Sequence, residues 1–329
     1  MPEQTHSSGS IPSLAIELIG QSAVAVRSRE LVRRIAALDT AVLLVGEPGI
    51  DVLSVAREIH ERNRRSSGPL QVVSCAEGDP AAIDATLFGT SAFRDTDLVV
   101  VSPESAVALA RAGSLFLRDV ADLSSGTQAR LARLLRDGEA RLAGTVVPTD
   151  LRLIGSAAPS IDEDARAHRF RPDLYRRLSA ARIDLPPLRA RASDIPALAE
   201  RVLQEVGGAL GTGRSFTQAA QALLSALPWA RNLAGLREAI TQVVSSTDAT
   251  AIQIEPLLAV LQIERPVPVF TPTGTLREAR LRFEREYIAA VLQYHGWHLS
   301  EAARTLGIQR PNLYRKARQL GIPLARRSS

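Results

Sequence analysis

Apolar positions along the chain follow two regimes, and the change falls near residue 190. Up to Leu188, short apolar runs alternate with longer stretches of helical spacing. The runs predict strands at Ala41–Val45, Leu70–Ser74, Ser114–Leu117, Leu151–Ser156 and Arg182–Leu185. The intervening stretches predict helices at Ser28–Leu38, Leu53–Asn63, Ser105–Ala112, Ser125–Asp137 and Pro172–Leu178. Such alternation implies an α/β domain with a mostly parallel sheet covered by helices. From Ala192 to about Ile263 the pattern is helical. Ser193-Asp194 ahead of Ile195-Pro196 predicts a helix start with proline in its first turn. Further helices fit Thr217–Ala226, Leu233–Ser246 and Glu255–Leu261. Three prolines within Arg265–Gly274 predict an extended linker. Helices at Leu276–Tyr294, Ser300–Leu306 and Arg310–Leu320 then form a small all-α domain. The expected division is a disordered arm (1–13), an α/β part (14–190), a helical part (191–263), the linker (264–275) and the terminal domain (276–329).

Composition narrows the class. A hydrophobic fraction of 45% in 329 residues supports a substantial core. No apolar run reaches transmembrane length, and MPEQTHSSGS lacks the basic and apolar parts of a signal peptide. A cytoplasmic, nucleoid-associated protein without a membrane partner is expected. One cysteine, Cys75, excludes an intramolecular disulfide and a Cys-rich zinc site. The five histidines are scattered without a His-x-x-x-His pair, so no metal site is expected. His60 and Cys75 read as packing residues.

Charge is uneven. Thr275–Ser329 holds eleven Lys and Arg against four Asp and Glu, which is +7 of the chain's net +5, leaving −2 elsewhere. A basic tail on a near-neutral body points to a polyanionic partner. Within it, Leu299–Gly321 has helix-turn-helix form. Ser300 is placed to cap the first helix, Ala302, Ala303 and Leu306 give its apolar face, and Gly307 suits a turn of positive φ. Leu313, Ala317 and Leu320 form the buried stripe of the second helix, with Pro311 in its first turn. Arg310, Pro311, Asn312 and Arg315 are candidates for base edges, and Arg304, Lys316 and Arg318 for phosphates. Lys316 is the chain's only lysine. Leu276, Ala279, Phe283, Tyr287, Ala290 and Tyr294 form a stripe suited to packing on this motif and to a homodimer contact. The segment resembles the Fis-type DNA-binding domain through Ala302-Ala-Arg-Thr-Leu-Gly-Ile308, Leu313-Tyr-Arg-Lys316 and Leu320-Gly-Ile322. Gln309 stands where that family usually has a serine cap.

The larger part resembles the AAA+ domain of sigma-54-dependent activators from about Leu18 to Leu261. The resemblance rests on Leu18-Ile-Gly-Gln-Ser22, Val42-Leu-Leu-Val-Gly-Glu-Pro-Gly49, Cys75-Ala76, Leu87-Phe-Gly89, Gly113-Ser-Leu-Phe-Leu117 and Gln128–Leu135. Phe170–Leu178, Leu185-Pro-Pro-Leu-Arg189 and Asp194-Ile-Pro196 continue it in order. It implies a P-loop-type parallel sheet with a helical lid, and ATP with magnesium as cofactors. The residues that would hold them are altered. From Gly46-Glu47 through Gly49, ungapped counting puts Asp51 at the loop glycine, Val52 at the lysine and Leu53 after it. Asp51 is suited to the helix N-terminus and would repel phosphate. The acidic pair reads Arg118-Asp119, the first sensor position is Ala158 and the second is Ala234. No bound cofactor is therefore expected. The family's sigma-54 contact loop, Gly-Ala-Phe-Thr-Gly-Ala, is not found in Thr90–Asp97. Arg171 and Arg177 occupy the arginine-finger region.

The expectation is a sequence-specific DNA-binding regulator whose ATPase-inactive AAA+ part serves assembly or partner contact, with no sensory domain before it. Two alternatives are an ATP-dependent sigma-54 activator that contacts RNA polymerase, and an accessory subunit lending Arg171 and Arg177 to a paralogue in a hetero-oligomer.

Overall fold

The structure is a computed structural model that describes residues 15–90, 98–207, 213–261 and, with single and paired gaps, 280–322. The predicted arm, the Pro-rich linker and most of Thr90–Asp97 lie outside the described residues. The chain divides into two units, 1–263 and 264–329.

In the first unit, α1 (Ala23–Ala36), β1 (Val42–Val45), α2 (Val52–Glu61), β2 (Leu70–Ser74) and α3 (Pro80–Phe88) come first. They are followed by β3 (Val99–Val101), α4 (Ala106–Leu109), β4 (Ser114–Arg118) and α5 (Ser125–Asp137). A hairpin, β5 (Glu139–Leu142) and β6 (Thr145–Pro148), leads to β7 (Arg152–Ala157), α6 (Ile161–Arg166), α7 (Pro172–Leu178) and β8 (Ala181–Asp184). The main sheet runs β2-β4-β7-β1-β8, with every pairing parallel. Its central strands are apolar on both faces because helices cover both. Leu43, Val45, Leu115, Leu117 and Leu153 point into one core with Phe88, Leu131 and Leu174. Val42, Leu44, Phe116 and Ile154 point into the other with Val32, Val55 and Ile59. Each such side chain contributes roughly 1.5–3 kcal/mol when fully buried.

A helical part follows: α8 (Ile195–Gly207), β9 (Ser215–Phe216), α9 (Gln218–Ala226), α10 (Asn232–Ser246), β10 (Ala251–Ile252) and α11 (Ile254–Val260). Leu198, Val202, Leu224, Leu236, Ile240 and Leu257 form its core. Among the described residues no helix is long and apolar enough to cross a membrane.

Several local expectations change. Helix α1 begins at Ala23, not Ser28, because Ser22 caps it by accepting the Ala25 N–H. The predicted helix Ser105–Ala112 shrinks to α4, capped by Ser105. The hairpin β5–β6 was not foreseen, since its short, half-exposed strands lack a long apolar run. Asp194 does not cap α8. Its carboxylate accepts the Gln21 N–H at 2.8 Å and the Ser22 N–H at 2.9 Å. Glycine is required opposite it, since a Cβ on Gly20 (φ +138°) would stand 2.2 Å from Asp194 Cγ.

The second unit contains α12 (Leu299–Thr305) and α13 (Arg310–Gln319). Gly307 turns between them at φ +65°, where a side chain would be strained. Ser300 lies inside α12 and so does not cap it. Gln309 is the N-cap of α13 but makes no side-chain capping bond. Ala302, Ala303, Leu313 and Ala317 pack with Ile288, Leu292 and Ile322. Of the stripe expected on the preceding helix, Tyr287 is described, and it is exposed; Ile288 and Leu292 supply the packing instead.

Candidate nucleotide loop and nucleic-acid interface

The carboxyl edge of a parallel sheet is where such folds place ligands. Here the segment Gly46–Asp51 leaves β1 and enters α2. Asp51 is the N-cap of α2, and its Oδ1 accepts the Ser54 N–H at 3.1 Å. The Asp51 N–H is itself donated to Glu17 Oε1 at 2.8 Å. Two N–H groups at this helix entrance are thus met by carboxylates of the chain. Ile50 is buried, and a Cβ on Gly46 would stand 3.1 Å from its Cδ1. Val52 packs against the core beside Leu53, and neither carries a charge.

The helical part closes over this loop. Gly49 adopts φ +87°, and a Cβ there would stand 2.0 Å from the Arg231 carbonyl oxygen. Its own carbonyl accepts the Ala234 N–H at 2.9 Å. Asn232 Nδ2 donates to the Pro48 carbonyl at 3.0 Å, while its Oδ1 accepts the Leu188 N–H at 3.0 Å. Arg189 Nη1 donates to Glu47 Oε2 at 2.6 Å, and this guanidinium holds the Glu47 carboxyl below the usual range. Arg191 pairs with Glu17 in a buried contact and also donates to the Glu17 carbonyl. Burial pushes the Glu17 carboxyl up, and Arg191 opposes that shift. Sequence reasoning missed Glu17, Arg189, Arg191 and Asn232. The signal for Glu17 is a lone carboxylate within Leu14-Ala-Ile-Glu-Leu-Ile19, which demands a cation when buried.

Arg118 ends β4 and Asp119 follows it. Arg118 is exposed, with Nε 3.5 Å from Asp119 Oδ2. Asp119 sits at φ +59° and donates its N–H to Ser156 Oγ at 3.1 Å. Burial raises its carboxyl pKa; Arg118 opposes this, while Asp122 and Glu77 add to it. Asp119 and Ala158 line a cleft of about 350 Å3 with Asp122, Ser160, Asp164 and Arg169. Ala234 lies apart from that cleft, on α10 against Gly49. Arg171 is engaged with Asp173 through two bonds, at 3.1 and 2.9 Å. Arg177 Nη1 donates to the Leu135 carbonyl at 3.3 Å. His60 Nδ1 meets Ser114 Oγ at 2.9 Å in the interior. Cys75 is buried, which pushes its thiol up to about 12. Among the described residues no His, Cys, Asp and Glu cluster is arranged to hold a metal.

On α13, Arg310, Pro311, Asn312, Arg315 and Arg318 are exposed, and Arg304 is exposed on α12. Leu313 and Ala317 turn the opposite face inward. Asn312 Oδ1 already accepts from Arg315 Nη2 at 3.1 Å, so the two act together. Lys316, the expected phosphate contact, is half-buried beside an acidic neighbour. Its ammonium lies 3.1 Å from Glu284 Oε1, and it holds the Glu284 carboxyl down together with Arg280. An exposed aromatic, Tyr314, shares the outer face and was not singled out by sequence.

Residues 18–184 match the sigma-54 interaction domain, 189–268 the AAA+ ATPase lid domain and 280–320 the Fis family of bacterial regulatory proteins. The chain is 31% identical over 323 residues to the nitrogen assimilation regulatory protein NtrX of Azorhizobium caulinodans, covering 93% of this chain and 69% of that protein. It is 29% identical to the hydrogenase transcriptional regulatory protein HoxA of Cupriavidus necator, covering 89% of this chain but 63% of that relative's length. Among solved structures it is similar to NtrX of Brucella abortus in complex with ATP. There the TM-score is 0.67 at 30% identity, covering 92% of this chain and 69% of that one.

Proposed function

The chain belongs to the sigma-54-dependent transcriptional regulators, with an AAA+ domain, its lid and a Fis-type DNA-binding domain, and from that premise we propose that its AAA+ part works without nucleotide turnover, as a scaffold for assembly or partner contact. The observation that carries this reading is Asp51, whose carboxylate takes the Ser54 N–H at the mouth of α2. A triphosphate fits this loop poorly. It would meet a carboxylate where it needs N–H donors, and Val52 offers no ammonium. At the acidic pair the metal-side position is held by the cation of Arg118, so of that pair only Asp119 offers magnesium a carboxylate.

Promoter DNA is the partner of the Fis-type unit, and RNA polymerase with sigma-54 is a candidate partner of the AAA+ unit. The competing reading, an ATP-dependent activator, is favoured by the relative NtrX, which has been crystallised with ATP. Measuring Mg-ATP binding and hydrolysis by the purified chain decides between them. The scaffold reading expects neither, and sustained turnover sinks it.

A further inference from the structure

We propose that Tyr314 is a sequence-discriminating residue of the DNA interface, and that its ring reads thymine through the 5-methyl group. The inference rests on the assignment of α13 as the DNA-reading helix. Tyr314 is the fifth residue of α13 and is 51% exposed. Packing of the helix is carried by Leu313 and Ala317, which are fully buried, so the Tyr314 ring is not needed for the fold. Arg310 stands four residues before it and Arg318 four after, which places all three on one helix face. Tyr314 also lines a surface recess with Arg315, Arg318 and Gln319. The ring is therefore an apolar island among guanidinium groups. Those cations select a polyanion, and the island selects an apolar group carried within it. In the major groove that group is the thymine methyl, which no other base presents. Lys316 does not compete for this position, because its ammonium is directed to Glu284.

The test uses the full chain. Bound duplexes are selected from a random-sequence pool, and each thymine of the selected site is then replaced in turn by deoxyuridine, which removes only the methyl. The wild type is expected to lose about fourfold in affinity at one thymine, the worth of one buried methyl group. Tyr314→Ala is expected to bind the thymine and deoxyuridine duplexes equally, and Tyr314→Phe to keep the wild-type difference. If Tyr314→Ala fails to fold, as read by its thermal melt, Tyr314→Gln carries the same comparison. The proposal is overturned if every methyl counts equally for wild type and the ring-less variant, or if the selected site contains no thymine. It is also overturned if Tyr314→Phe loses methyl dependence, which would assign the contact to the hydroxyl. Failure of the wild type to enrich any sequence overturns the assignment of α13 itself, and so is distinguishable from failure of the Tyr314 contact alone.

Discussion

Replacing Asp51 with Ala removes the acceptor that closes α2. The lost bond is Ser54 N–H to Asp51 Oδ1 at 3.1 Å. Two neighbouring bonds survive, since the residue 51 N–H still reaches Glu17 and Ser54 Oγ still reaches the residue 51 carbonyl. The helix therefore persists with one orphan donor. Loss of an N-cap acceptor costs about 0.5–2 kcal/mol. Loss of a carboxylate at a helix N-terminus costs about 0.3–1 kcal/mol more. Together these come to about 1–3 kcal/mol, which lowers the melting temperature of a unit this size by about 2–12 °C. The assay is thermal unfolding of the full chain followed by circular dichroism, with and without Mg-ATP. A ligand at about 100 times its Kd would stabilise by about 2.7 kcal/mol, an easily visible rise of about 5–11 °C. The wild type is expected to show no rise. A variant that melts with the wild type refutes the cap, and a wild type that gains several degrees in Mg-ATP refutes the closed loop.

Arg191→Met leaves Glu17 buried and unpaired, so a loss of about 3–5 kcal/mol is expected in urea denaturation; adding Glu17→Gln should recover much of it. Asp119 has its pKa raised above the ordinary 3.8 chiefly by burial. Its contribution to stability is therefore complete below 3.8 and lost as pH rises through the raised value. Asp119→Asn should raise the melting temperature near neutral pH and leave it unchanged in acid below 3.8, which paired melting curves check. Arg318→Ala should reduce the slope of log affinity against log salt by about 0.9, the loss of one phosphate contact. Lys316→Ala should leave that slope nearly unchanged, because the ammonium is already held by Glu284; equal changes in the two variants would contradict this.

Much of the architecture was legible in the chain. The apolar runs Val42–Val45 and Ser114–Leu117 are core strands, and α5 and α7 carry the predicted bounds Ser125–Asp137 and Pro172–Leu178. The helix-turn-helix was equally plain, since Gly307 and the Leu313/Ala317 stripe are local signals. The elements not predicted are α3, α6, the short strands β3, β9 and β10 and the hairpin β5–β6, although β3 is an apolar run and α3 opens with Asp79-Pro80.

The sequence by itself determined the chemistry that each side chain can offer. Val52, Ala158 and Ala234 carry no charge and Arg118 carries a positive one, and no placement in a fold changes that. It also determined period, and with it which face of each helix and strand is apolar. Tertiary structure alone decided what those faces and charges meet. Glu17 finds Arg191 across 174 residues and the Asp51 N–H across 34. Asp194 reaches back 172 residues to Ser22 instead of capping its own helix. Lys316, an open cation in the sequence, is drawn to Glu284 by the packing of one helix on another. Periodicity reports the direction of a side chain relative to its own backbone. The partner of a buried charge depends on chain closure over long separations, and local spacing carries no record of that.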